Sequence, residues 1–327
     1  MAHIDEKQSV LVGNFLKNLN KPEEVPNFYS FRAGDQEIVA DSMYPPLHHP
    51  NAINFFFFVF LHQHGFWYGD DAGYIKPLYG NVNGKRMKGS QLLWTVVKRA
   101  FDFDTDFIQP FYLAEIRPET LFSYIFRDDN GPIPFPDLET RFQLTRGYGR
   151  WFKDRGKQPV DLVETANRKE HSLEFFLETM RLVNGYENDL FQKKALLLAM
   201  ALSNRPEQFL HIPDPEHWQP IIDYHVMRVL LRMGCVELSD SEKEENVPRV
   251  WVGDSMEYSV RNATAHAENN MIEASNISMP AVDKLIWEIG RTYCHEMMSP
   301  DCITCPVATV CKKRVELFQP VYRTTAY

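Results

Sequence analysis

Positive charge is in short supply. Thirty-five Lys and Arg stand against 44 Asp and Glu, a formal net charge of −9. Nonspecific adhesion to a phosphate backbone is therefore excluded as default behaviour, although a local basic groove stays open. Long apolar runs are missing too. The longest, residues 53–61, is far below the roughly 20 residues that cross a bilayer; it reads as a buried helix, and no membrane partner is expected. Residues 1–20 lack a basic stretch followed by an apolar one and a small-residue cleavage site, which predicts a cytoplasmic protein. Five cysteines in 327 residues exclude a disulfide-stapled module. No repeat or low-complexity tract occurs, and the 21 prolines are dispersed rather than gathered into a linker.

What is present is the balance of a folded chain, 44% apolar and 24% charged. The length suits two domains or two lobes, because single cores stop growing at roughly 250–300 residues. Helical periodicity dominates, and stretches of strict alternation are few. Residues 51–64, 90–101 and 138–152 read as helices, and the glycine-rich stretch 65–89 as loop. Further on, helices are predicted over 187–202, 223–233 and from about 280 to Gly290. Asp223 sits where an N-cap belongs and Gly234 where a helix stops. The acidic, polar stretch 239–270 reads as a surface excursion.

Four of the five cysteines crowd the end of the chain. Cys294, Cys302, Cys305 and Cys311 are separated by seven, two and five residues. Structural zinc usually takes two close Cys pairs, whereas one close pair flanked by two single cysteines suits a loop around a [4Fe–4S] cluster. Zinc and a disulfide pair stay open as other uses of these thiols. Cys235, among apolar residues, reads as packing.

Asp223 at a helix start is suited to electrostatic work: the helix dipole and free N–H groups favour its ionised form. A carboxylate there can stabilise a developing positive charge or act as general base toward water. Lys193 is either a nucleophilic amine or a cation for an anionic group; a solvated helix face is the plainer alternative. Tyr224 and Arg228 flank the same helix start, with Arg228 also able to pair with a carboxylate. Phe58 is a candidate for stacking on a flat ring and Asn54 for hydrogen bonding to a polar edge. Core packing and backbone capping are the plainer uses of these two.

The cysteine spacing resembles the iron–sulfur loop of the endonuclease III branch of the helix-hairpin-helix DNA glycosylases, where the gaps are six, two and five and a helix ending in Gly-Arg comes first. Here Ile289-Gly290-Arg291 precedes Cys294, and the first gap is one residue longer. Residues 222–234, from Ile222-Asp223 to Met233-Gly234, are similar to the segment that carries the superfamily's catalytic Asp. Lys193-Lys194-Ala195 is similar to the start of its lysine-bearing helix, without the glycine-rich hairpin. A second resemblance, over residues 40–291, is to the queuosine salvage family of queuosine nucleotide N-glycosylases. It is carried by Asn54-Phe55, Leu113-Ala114-Glu115-Ile116, Leu138-Glu139-Thr140-Arg141, Asp223-Tyr224 and Trp287-Glu288-Ile289-Gly290-Arg291. That family ordinarily lacks the cysteine loop, and where it continues with Pro-Gln this chain has Met227-Arg228.

These resemblances imply an all-α, two-lobed, DNA-glycosylase-like (HhH-GPD-type) fold with the site in a cleft. The divisions expected are 1–160 for an N-terminal helical lobe, 161–293 for a glycosylase-like lobe with Lys193 and Asp223, and 294–327 for the cluster loop and tail. They imply an N-glycosidase acting on a 7-deazaguanine nucleotide or nucleoside, with Asp223 and Lys193 catalytic and Asn54, Phe58, Tyr224 and Arg228 binding substrate. The four terminal cysteines would hold the cluster. A DNA glycosylase, with lyase chemistry through Lys193, is the alternative, and a noncatalytic nucleotide- or nucleic-acid-binding protein the second. The acidic charge and missing hairpin glycines tilt the balance toward a small nucleotide.

Overall fold

The computed structural model describes residues 1–19, 25–33, 36–297 and 299–327, with backbone alone for Arg32 and Ala33. The helices among them are α1 (Glu6–Leu19), α2 (Ala52–Leu61), α3 (Gly89–Phe103), α4 (Pro110–Glu115), α5 (Pro118–Thr120), α6 (Leu138–Arg155) and α7 (Pro159–Ala166). They continue with α8 (Ser172–Met180), α9 (Lys193–Asn204), α10 (Tyr224–Met233), α11 (Asp240–Asn246), α12 (Asp254–Ser275) and α13 (Met279–Thr292). The fold is mainly helical, as expected, but not purely so. Short strands pair two by two: β1 (His3–Ile4) is joined by β10 below, and β2 (Ser30–Ala33) pairs with β3 (Gln36–Val39). The glycine-rich stretch read as loop holds β4 (Trp67–Gly69) paired with β5 (Tyr74–Pro77), and β6 (Tyr79–Val82) paired with β7 (Lys85–Lys88). Asn83 and Gly84 turn that second hairpin at positive φ, the two-residue Asn-Gly signal that composition alone conceals. The hairpin β8 (Arg127–Asp128) with β9 (Gly131–Pro132) follows, and β10 (Val236–Glu237) pairs antiparallel with β1.

The chain forms two compact units whose segments alternate along the sequence. One comprises Met1–Val25, Tyr68–Lys76 and Gln219–Arg323; the other comprises Pro26–Trp67, Pro77–Trp218 and Thr324–Tyr327. This differs from consecutive divisions at 160 and 293, because α1 packs along α12 and β1 pairs with β10, which draws the N-terminal residues to the C-terminal helices. Lys193 and Asp223, expected in one lobe, fall in different units.

In the larger unit α2 is the core. Every residue from Asn54 to Leu61 is buried, the signature of a helix apolar all round, and α3, α6, α7 and α9 pack on it. α6 crosses α4 closely at Gly149. A Cβ there would lie 2.5 Å from the Pro110 carbonyl oxygen and 2.7 Å from the Leu113 carbonyl carbon, and would also overlap the Ala114 nitrogen.

In the Asp223 unit, α12 corrects the reading of 239–270 as a surface excursion. Met256, Val260, Ala263, Ala267 and Met271 are buried and recur at helical spacing along one face, so a narrow apolar stripe runs through a polar composition. α12 packs on α1, α10 and α13. All ten residues of α10 are buried.

Substituting Gly149 by Ala should lower stability by about 1–3 kcal/mol through overpacking against fixed backbone, although alanine is the better helix former. A thermal melt of Gly149→Ala no lower than wild type would mean that α4 can shift freely.

Candidate functional site

Asp223 caps α10 as expected. Its backbone is extended, and its Oδ1 accepts the N–H of His225 at 2.7 Å and of Val226 at 3.0 Å. These donors and the helix dipole stabilise a carboxylate anion. The preceding residue is held by Arg261 of α12, which donates from Nε at 3.3 Å and from Nη2 at 3.1 Å to the Ile222 carbonyl. Tyr224 follows, buried, with its ring 4.3 Å from that of His225. Burial first, then the nearby carboxylates of Glu296 and Asp223, push the Tyr224 phenol well above its ordinary range, so it stays protonated.

Glu268, two turns beyond Arg261 on α12, completes this surrounding. It is fully buried, and among the described residues neither carboxyl oxygen has a hydrogen-bond partner. Burial, then the negative charges of Asp283 and Asp223, push its pKa well above the carboxylate range. Burial thus favours the protonated acid at Glu268, within electrostatic reach of the capped Asp223. Carboxyl groups whose environments drive them apart in this way are a recurrent arrangement of acid–base sites. Nothing in the sequence singles out Glu268, because it lies in the polar stretch read as surface.

Arg228 is not placed to bind substrate, which corrects the sequence expectation. It is fully buried, and its donors are engaged by protein groups: Nε with the Cys294 carbonyl at 3.0 Å, Nη1 with Gln319 Oε1 at 3.0 Å, and Nη2 with the Gly290 carbonyl at 3.1 Å and His225 Nδ1 at 2.9 Å. It also pairs with Glu296 at 3.6 Å. Arg232, one turn on, donates to the carbonyls of Leu317 at 2.8 Å and His295 at 2.9 Å, and to Cys294 Sγ at 3.5 Å.

The four terminal cysteines share one hollow without forming a close set of sulfurs. Cys294, Cys302, Cys305 and Cys311 all line one hollow, with about 340 Å³ of empty space partly open to solvent, walled by Val229, Arg232 and Met233 of α10 and Ile289 of α13. None is in a disulfide. The Lys313 N–H donates to Cys311 Sγ at 3.3 Å. Cys235 lies buried elsewhere in the core, as expected.

The remaining expected residues belong to the other unit. Lys193 opens α9, where Asp189 Oδ2 accepts its backbone N–H at 2.7 Å, and the helix begins later than the periodicity suggests because Gln192 adopts a left-handed conformation. The side chain is buried rather than on a solvated face, and Nζ donates to the Gln63 carbonyl at 2.7 Å. Beside it, Lys194 donates to the Gly185 carbonyl, and burial pulls its amine down to about 7. Residues 62–64 form a polar strip that the sequence did not flag. Arg141, fully buried, donates to the His62 carbonyl at 3.0 Å and to the His64 carbonyl. Burial, then Arg141 and Lys194, hold both imidazoles neutral by depressing their pKa values. The signal available was His62-Gln63-His64 directly after the phenylalanine run.

Asn54 is tied into a side-chain chain, donating to Gln109 Oε1 at 3.0 Å while Gln109 donates to Asn51 at 2.9 Å. Phe58 is fully buried, with ring centroids 5.7 Å from Phe107 and 6.1 Å from Phe126. No face of Phe58 is left for a base, so its assignment to stacking is corrected to core.

Glu268 also gives a pH test. The unfolded chain releases this proton near the ordinary glutamate pKa of about 4.3, while the folded chain keeps it well above. The native state then binds more protons, and wild-type stability falls as pH rises. The melting-temperature advantage of Glu268→Gln over wild type should therefore grow between about pH 5 and pH 8; a difference that stays flat across that range would show that Glu268 ionises alike in both states.

Comparison with curated proteins gives no significant match. The sequence profile of the queuosine salvage protein family matches residues 44–305, beginning near the expected residue 40 and running past 291 into the cysteine segment. That match covers most of the chain, and the protein belongs to the queuosine salvage protein family.

Proposed function

We propose that the chain hydrolyses the N-glycosidic bond of a queuosine-type, 7-deazaguanine nucleotide or nucleoside, with Asp223 at the reacting sugar. The observation that carries this reading is the carboxylate of Asp223, capped by two N–H groups at the start of α10 with the neutral acid Glu268 behind it. As the bond between the anomeric carbon and the base nitrogen breaks, the electron pair leaves with the base and positive charge gathers on the sugar. An anion fixed beside that carbon stabilises the charge in the transition state. Water then adds to the carbon; its proton passes first to Asp223, acting as general base, and finally to the departing base. The neighbouring Glu268, being uncharged, leaves the negative charge on Asp223.

The scaffold is read as HhH-GPD-type. Support comes from the order of the lysine-bearing α9, the Asp-capped α10, α13 with Gly290-Arg291 in its last turn, and then the cysteine loop. Cys294, Cys302, Cys305 and Cys311 would hold a [4Fe–4S] cluster. A tetrahedral zinc ion with bonds of about 2.3 Å needs its sulfurs about 3.8 Å apart. Among the described residues, the cysteines form no set of three with sulfurs within 4.8 Å of one another, so the support for the cluster is their spacing along the chain and the hollow they line. When bound, the cluster supplies a rigid cross-link between the loop's thiolates.

Incubation of anaerobically purified protein with queuosine 5′-monophosphate should release free base, measured by chromatography. Asp223→Asn should lower kcat by about 10²–10³-fold, the scale seen when a transition-state electrostatic partner is removed, with circular dichroism unchanged. No base release beside an active control enzyme, with excision from lesion-bearing duplex instead, would overturn the substrate assignment.

The cluster has its own readout. Anaerobic protein should contain about four irons per chain with sulfide-to-iron absorption, and Cys302→Ser should lose both. Iron-free protein from an anaerobic preparation made with iron and sulfide supplied would sink the assignment.

A further inference from the structure

A second set of metal-ligand chemistry belongs to the unit that holds Lys193 and not to the unit of Asp223 and the cysteines. His171 stands just before α8, and Asp214 and His217 belong to the single turn at Pro215–His217. One ligand atom from each of the three lies within 4.8 Å of the other two. Asp214 is buried and ties this turn to α8, its Oδ1 accepting the Leu173 N–H at 3.1 Å and its Oδ2 the Glu174 N–H at 3.3 Å.

His217 supplies the decisive geometry. Its Nδ1 lies 3.2 Å from Asp214 Oδ2, yet this buried ring nitrogen has no hydrogen-bond partner among the described residues. Two polar atoms at that separation that do not point at one another are arranged like neighbouring ligands of one ion. Metal–ligand bonds of about 2.0–2.1 Å in a tetrahedron set neighbouring ligand atoms about 3.3 Å apart. The other ring nitrogen, Nε2, lies 3.7 Å from Glu174 Oε2, an ion-pair separation rather than a hydrogen bond; closing that gap on metal binding would give the carboxylate–histidine–metal relation that orients a ligating imidazole. The ring of His171 comes in from solvent, its centroid 5.2 Å from that of His217. Glu216 lies 3.8 Å from His217 Nδ1 and adds negative charge.

We propose that His171, Asp214 and His217 bind one divalent transition-metal ion of the zinc class, with the fourth position open to water and Glu174 orienting His217. Two imidazoles and a carboxylate select such an ion over calcium or magnesium, which take oxygen ligands. The ion staples the 214–217 turn to the N-terminus of α8, which packs on α7 and on the Lys193 helix α9.

Zinc chloride titrated calorimetrically into full-length protein freed of loose metal by chelator tests this. Wild type should bind one more equivalent than the His171→Ala/His217→Ala double variant, and Glu174→Gln should weaken that equivalent by about 10–100-fold. Cys302→Ser should leave it in place. In cobalt chloride the same equivalent should give visible bands without thiolate-to-metal absorption. Equal stoichiometry in wild type and the double variant, or loss of the equivalent in Cys302→Ser alone, would overturn the site. Should the double variant fold poorly, the single Glu174→Gln affinity and the cobalt spectrum of wild type still decide: an unchanged affinity or a thiolate band excludes it.

Discussion

Two buried guanidinium groups hold the Asp223 unit together. A guanidinium can be buried only where its N–H groups find acceptors and its charge a counterpart. Arg228 meets that condition with the carbonyls of Gly290 and Cys294, the amide of Gln319 and the carboxylate of Glu296; Arg232 meets it from Nε and Nη1 with the carbonyls of Leu317 and His295, while its Nη2 has no partner among the described residues. The relation is reciprocal. The chain after α13 has little regular structure, and its inward carbonyls need donors. The arginines of α10 supply them, so the path of the cysteine loop depends on a helix some sixty residues earlier in the chain. Removing one partner of such a buried charge commonly costs about 3–5 kcal/mol.

How much of this was legible follows from where each signal lies. The phenylalanine run, the Asp223 cap and the Gly234 stop are local: a few adjacent residues carry the whole reason for the conformation, and each reads correctly from the chain. α12 was missed because its apolar stripe is narrow and its other faces are charged, so composition outweighed spacing. The hairpins in 65–89 were missed because glycine-rich strands and glycine-rich loops share a composition. The units themselves are set by long-range pairing of α1 with α12, which periodicity within a segment does not register. The same reason hides Glu268: its chemistry comes from burial and from Asp283 and Asp223, not from its neighbours in sequence. Arg228 carried a misleading signal, since a basic residue near a helix start suggests a ligand contact until the loop carbonyls are known.

The two carboxyl groups divide the labour that the proposed reaction needs. A second anion beside Asp223 would raise the cost of ionising either group. Full burial of Glu268, with no hydrogen-bond partner among the described residues, weighs that competition against its ionisation, because a carboxylate there would pay the desolvation cost with no compensation. Asp223 has two N–H donors and a helix terminus for its charge, and Glu268 has neither. The asymmetry arises from backbone position: one carboxyl precedes a helix, the other projects from the middle of one.

α10 also fixes how the cysteine loop can influence the site. Asp223 caps the N-terminal end of the helix, while Arg232, nine residues on, touches Cys294 Sγ at the other. At about 1.5 Å per residue these points stand about 13–14 Å apart along the axis, too far for a group held by the thiolates to touch the sugar that Asp223 would face. The coupling must run through the helix. The loop immobilises Arg228 and Arg232, they fix the rotation and tilt of α10, and Arg261 pins the residue just before Asp223 to α12. A group bound by these thiolates would therefore act on the proposed hydrolysis as a brace, and loss of the thiolates should misplace Asp223 rather than remove a reacting group.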